Sequence, residues 1–261
     1  MSLLSNISRR SWAVWARDKD VFLFTWKTNF LPPFLEPILY LLAMGFGFGV
    51  LIPQLPPPYN DVTYAQFLGP GLVAISAMYG AFFECTYGSF VRMHYQKTFD
   101  AIVATPLTIE DVITGEILWG ATKSFINATI VLLVVVLFGL IASPAVILIP
   151  FVALIAGLMF ASMAMIFTAL VPNIDSFNYP FFLLITPMFL FSGTFFPLSV
   201  LPSWVQALAE AFPLTHVARL MRDFSLGTFQ INDVISVIYL LVIFAITFYA
   251  ALWLMKRRLV N

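Results

Sequence analysis

The sequence predicts an all-α integral membrane protein with six transmembrane helices and both termini in the cytoplasm. Three observations carry that reading: a composition too apolar for water, six long apolar runs, and basic residues gathered on one side of them. Of 261 residues, 61% are hydrophobic and 10% charged, against roughly 25% charged in an ordinary soluble domain. Such a chain has no polar shell to offer water, and lipid must take its place. Net charge is zero, which leaves no overall field to draw nucleic acid. The single Cys85 lies in an apolar run, so no disulfide forms within the chain.

From the N-terminus, residues 1–28 precede the first apolar run and do not resemble a cleaved leader, because no continuous apolar core leads to a small-residue site. Within 7–28, Trp12, Trp15, Phe22, Phe24 and Trp26 interleave with Arg9, Arg10, Arg17, Asp18, Lys19, Asp20 and Lys27. Aromatic rings beside charges suit the headgroup zone, which predicts an N-terminal interfacial helix; a plain cytoplasmic tail is the alternative.

A helix needs about 20 apolar residues to cross the hydrocarbon. Six runs qualify: 30–52, 67–91, 117–141, 144–171, 179–196 and 234–255. Pro32, Pro33 and Pro37 predict a kink at the start of the first, and Pro187 and Gly193 a break in the fifth. Only Ala142 and Ser143 join spans three and four, which forces an antiparallel hairpin. Ten of the thirteen Lys and Arg fall before span one, between spans two and three, or after span six; Lys123, Arg219 and Arg222 are the rest. Basic loops stay in the cytoplasm, so both ends are inside. The whole chain, 1–261, reads as one domain: 1–28 interfacial, 29–196 spans one to five, 197–233 external, 234–255 span six.

Two connecting segments stand out. Residues 92–116 read as a helix to Val103, a stop before Pro106, and a second helix opened by Thr108 with Asp111 three residues on. Helix, proline turn, helix makes a stiff cytoplasmic knob, able to transmit a push or simply to join two spans. Residues 197–233 predict two external amphipathic helices. A capping box of Ser203 and Gln206 opens the first, which carries Trp204 and runs to about Phe212. The second runs from Thr215 to Leu226 with Gly227 as its C-terminal cap. They form either a re-entrant pair, with Arg219 and Arg222 near lipid phosphates or another polar group, or a pair lying flat.

Inside the apolar runs sit Glu36, Glu84 and Asn127. Polar groups at that depth face a wet cavity as functional sites, or act as glue between helices. The chain lacks a phosphate-cradling G-x-x-x-x-G-K-[ST] loop. His94 and His216 fall on opposite sides of the membrane, which disfavours a metal site. No catalytic residue is assigned.

The stretches Thr105-Pro106-Leu107-Thr108 through Gly115-Glu116, Ser192-Gly193-Thr194-Phe195-Phe196-Pro197, Leu201-Pro202 and Pro213-Leu214-Thr215 resemble the type-2 ABC exporter permeases. The likeness covers essentially the whole chain and is to the subgroup of nodulation protein J-like lipo-oligosaccharide exporters and drug-export permeases of similar length. What the resemblance implies is a permease subunit in the bacterial inner membrane that moves an amphipathic lipid, glycolipid or drug-like molecule. It further implies pairing with a second permease copy and with two copies of a separate ABC ATPase, where ATP and Mg would bind; this chain would hold no cofactor. Carried over, coupling to the ATPase falls to Phe99, Asp100, Thr105, Pro106 and Glu110. An ion-coupled secondary transporter or channel using Glu36 and Glu84 is the competing expectation.

Overall fold

The computed structural model describes residues 6–260; the side chains of residues 28–34 and 260 lie outside the described residues. Among the described residues all regular structure is helical. Five helical runs are long and apolar enough to cross a bilayer: Tyr64–Tyr95, Ile109–Leu137, Pro144–Leu170, Ile174–Phe191 and Ile231–Leu259. A shorter apolar run, Leu35–Leu51, occupies the first expected span, whose expected start at Phe30, with Pro32 and Pro33, falls outside the described side chains. The chain is thus an all-α, multi-pass membrane protein.

One unbroken helix, α1 (Ser11–Tyr40), joins the expected interfacial stretch to the first apolar run, with no boundary at residue 28. It passes Pro37 and loosens into a π-helix at Leu41–Gly47, so the irregularity expected near the prolines comes after them. The second span begins at α2 (Tyr64–Phe83), opened by a reciprocal capping box between Thr63 and Gln66. It continues through π turns at Glu84–Gly88 and Val91–Tyr95. Lys97 then adopts a left-handed conformation, φ 55°, and breaks the helix expected from Arg92 to Val103. A short helix, α3 (Thr98–Val103), forms the tip of the knob. Thr108 and Asp111 make the expected capping box and open α4 (Ile109–Leu137).

After α5 (Ile149–Leu170) comes α6 (Ile174–Phe191), which carries π turns at Phe181–Ile185 just before Pro187 and stops ahead of Gly193, φ 70°. On the outer side lie α7 (Ser203–Glu210) and α8 (Pro213–Leu226). The expected Ser203–Gln206 box does not form. Pro202 takes the capping position, and the Gln206 amide donates instead to the Leu201 carbonyl at 2.7 Å. Gly227 caps α8 with φ 77°, as expected. The chain closes with α9 (Ile231–Val260).

The second span is the hub. Its apolar window is 78% buried within this chain, against 22% for α6 and 17% for the last helix. It packs against α4, α5 and α8, while α4 also packs on α1, and α5 on α9. Phe67, Phe82, Phe90, Phe160 and Phe177 fill the shared core with essentially no exposure. Buried aromatics at this density hold the helices by close packing, since lipid offers no hydrophobic drive between them.

Candidate functional site

Three constructions occupy the cytoplasmic half of the bundle. The first is the base of the knob. The Ser8 backbone N–H donates to Asp111 Oδ1 at 2.7 Å and the Ser8 hydroxyl to Asp111 Oδ2 at 3.1 Å. Asn6 donates to Glu110 Oε1 at 3.0 Å, Thr108 donates to the Asn6 carbonyl at 3.1 Å, and Arg10 donates to the Pro106 carbonyl at 2.7 Å. From the far end of the chain, Lys256 reaches the same Glu110 oxygen at 2.6 Å. Both the N-terminal segment and the last helix are therefore tied to the start of α4.

Of the five expected coupling residues, Asp100, Thr105 and Pro106 are exposed on the knob, alongside Tyr95 and Val103. Phe99 and Glu110 are buried. They brace the knob from within.

The second construction is a charge cluster. Arg92, on the π-helical end of the second span, pairs with Glu116 of α4 at 2.6 Å and with Glu84 at 2.8 Å. It stands 3.9 Å from Asp18 of α1, and Arg17 pairs with Asp18 at 2.8 Å. Ser89 donates to Glu116 Oε2 at 2.5 Å. Glu116 is fully buried and the Asp18 side chain is 2% exposed, with its Oδ2 lacking a hydrogen bond among the described residues. Burial foremost, then the neighbouring Glu116 charge, pushes the Asp18 carboxyl up to about 7. Taking these charges out of water is costly, and the geometry repays it by clamping three helices at one guanidinium.

Next to the α1 Asp, two close contacts fix how α1 lies on α4. A Cβ on Gly115 would fall 2.5 Å from Val14 Cβ and 2.7 Å from the Ser11 carbonyl, so only glycine admits this approach. Further along, the Trp15 indole donates to Thr122 at 2.9 Å and Phe22 packs on Trp119 at 5.6 Å. Trp15 and Phe22, expected in the headgroup zone, thus find partners on α4.

The third construction is a cavity of about 430 Å³ between α1, α2, α4 and α6. Glu36, Glu84 and Asn127, expected to face a wet cavity or to act as glue between helices, all line it, together with Tyr40, Tyr79, Lys123 and Phe189. A second cavity, lined by Arg17, Asp18, Trp119 and Arg92, shares Glu84, Gly88 and Lys123 with the first. Polar side chains therefore run from the knob side into the apolar zone.

On the outer side, Arg222 does not reach lipid phosphates. It is 4% exposed, donates to the Gly193 carbonyl at 2.8 Å and the Phe67 carbonyl at 3.3 Å, and stacks on Phe67 at 3.8 Å. Unpaired carbonyls at the α6 break and the head of α2 need a donor, and a buried guanidinium supplies it. Arg219 pairs with Glu210 of α7, and Trp204 is exposed.

A sequence model of the family described as ABC-2 type transporter matches residues 9–226. The chain belongs to this family. It is 34% identical over 250 residues to nodulation protein J of Sinorhizobium fredii, covering 95% of this chain and 94% of that protein. Identity to nodulation protein J of Rhizobium leguminosarum bv. viciae is 35% over 253 residues, with 95% of each covered. The inner membrane transport permease YadH of Escherichia coli is 22% identical over 248 residues, covering 94% of each. Within an ABC-2 type membrane subunit, the cluster and the cavity meet at Glu84, and α4 carries both Glu110 and Asp111 of the knob base and Glu116 of the cluster. Arg92, Glu116, Asp18 and Lys123 were not singled out as site residues by sequence reasoning, which treated Arg92 and Lys123 only as topology signals.

Proposed function

We propose that this chain is the membrane-spanning subunit of an ATP-driven exporter in the bacterial inner membrane, moving an amphipathic lipid, glycolipid or drug-like molecule outward. It crosses the bilayer six times as one domain and works with a second copy of itself and two copies of a separate ATPase. ATP and Mg act on that partner; this chain contributes the path and the mechanical input.

The observation that carries the reading is the knob. Asp100, Thr105 and Pro106 face outward on a tip whose base is bound to both ends of the chain through Glu110 and Asp111. A push on α3 passes to α4 and, through Glu116 and Arg92, to the second span and α1. Charge at the exposed rim sets pairing with the partner. The competing reading, an ion-coupled transporter, draws on two carboxylates in one cavity, but Arg92 already holds Glu84. Of those two carboxylates, Glu36 alone then stands outside an ion pair among the described residues.

The test is co-purification from the native membrane. The tagged chain retains an ATPase subunit, and the chain alone hydrolyses no ATP. Asp100→Arg reduces the retained ATPase about tenfold by reversing a rim charge. Unchanged retention in that variant refutes the knob assignment, and transport driven by an ion gradient without any ATPase refutes the exporter.

A further inference from the structure

Of the carboxylates that line the main cavity, Glu84 is held by Arg92 at 2.8 Å and has Lys123 as an electrostatic neighbour. Glu36, on the cavity wall formed by α1, is the second, and among the described residues no ion pair or hydrogen bond engages it. A carboxylate inside an apolar helix without a partner is expensive, and such groups mark the path of a ligand or ion.

The wall around Glu36 is aromatic. Tyr40 and Tyr79 are its neighbours; Tyr79 stacks on Phe189 at 6.0 Å and packs against Phe83 at 5.3 Å. These rings and the Glu36 carboxylate line one space of about 430 Å³, within the range that holds a drug-sized ligand or the head of an amphiphile. Aromatic rings beside a carboxylate that no ion pair engages suit a cation on an apolar body.

We infer that this cavity binds an organic cation, an ammonium or similar onium group carried on an apolar body, with Glu36 as counter-ion and Tyr79 and Phe189 as its aromatic faces. The inference rests on the exporter reading and narrows its substrate: the molecule moved carries a positive charge. Glu84 lines the same cavity but is held by Arg92, with Lys123 as its electrostatic neighbour, so Glu36 is the counter-ion.

The probe is tetraphenylphosphonium, with tetraphenylborate as an anion of the same shape. Each is titrated against the purified full chain in lipid nanodiscs, and binding to empty nanodiscs is subtracted. Saturable binding of the cation and not the anion is expected. Glu36→Gln weakens it about tenfold or more, and Tyr79→Leu weakens it too. Thermal melting checks that both variants fold; Tyr79→Leu decides the matter if Glu36→Gln does not. Equal binding of both ions, or cation binding unaffected by either variant, overturns the proposal. Loss of self-association in Glu36→Gln without loss of cation binding overturns it as well, by showing that the carboxylate serves a second copy. None of these outcomes depends on an ATPase, so ATPase co-purification with no cation binding leaves the exporter standing and removes only the cation.

Discussion

Arg92 is the residue on which the cytoplasmic half of the bundle turns. Its side chain is 14% exposed, and it faces Glu116 with no exposure and Asp18 with 2%. Removing one partner of a buried ionic group strands the others. Arg92→Met therefore costs about 3–5 kcal/mol, read as a fall in melting temperature of the purified chain. Adding Glu116→Gln recovers part of that loss, because one stranded charge goes with it. The same cluster predicts a pH dependence. Asp18, which precedes the first span, is held up to about 7 in the folded chain from an ordinary value of 3.8. The folded state therefore binds the proton more tightly than the unfolded one, and its contribution is complete below the unfolded value. It fades as pH rises through about 7. Melting temperature should drop between about pH 5 and about pH 8.5 in the native chain, and Asp18→Asn should flatten that slope. An identical slope in the variant would place the titration elsewhere.

At the scale of elements, the π turns explain why the cluster stayed hidden in the sequence while the knob did not. Thr108 and Asp111 announce α4 through a local rule, and Gly227 announces the end of α8 through another; both hold in the structure. Glu84 and Arg92 are eight residues apart, which on an α-helix leaves them about 80° off a common face. The π turns at Glu84–Gly88 and Val91–Tyr95 carry more residues per turn and bring both side chains to one place. No residue pattern in 84–95 signals that change of period, and Asp18 and Glu116 join from helices far away in the chain. Glu36, Glu84 and Asn127 were legible singly, as polar residues in apolar runs; that they share one cavity is a tertiary fact. Ser203 and Gln206 show the opposite failure, a good local signal outcompeted by Pro202. The contact of α1 with α4 is equally tertiary, and it gives a sharp test. Gly115→Ala places a methyl 2.5 Å from Val14 Cβ and 2.7 Å from the Ser11 backbone carbonyl. Overpacking of this kind costs about 1–3 kcal/mol. It should lift α1 off α4, seen as faster proteolysis near Ser11 with the remaining helices intact; unchanged cleavage would mean the contact is soft.

The molecule as a whole is asymmetric in how it spends its surfaces. The second span is enclosed by its own chain, whereas α6 and α9 leave most of their apolar windows uncovered. Lipid covers such surfaces, and so does a second copy, which is the arrangement proposed above. Both termini converge on the base of the knob, Asn6 through Glu110 and Lys256 through the same carboxylate oxygen. That convergence brings the two ends and the knob to one end of the bundle. The basic residues predict that this end faces the cytoplasm. A labelling experiment follows directly, because the native Cys85 is fully buried and should be silent to a membrane-impermeant maleimide. Lys97→Cys, on the exposed knob, should react only in inside-out vesicles; Asp61→Cys, in the exposed loop before α2, should react only in right-side-out cells. Labelling of both positions from one side would break the topology, and with it the idea that the knob meets a cytoplasmic ATPase.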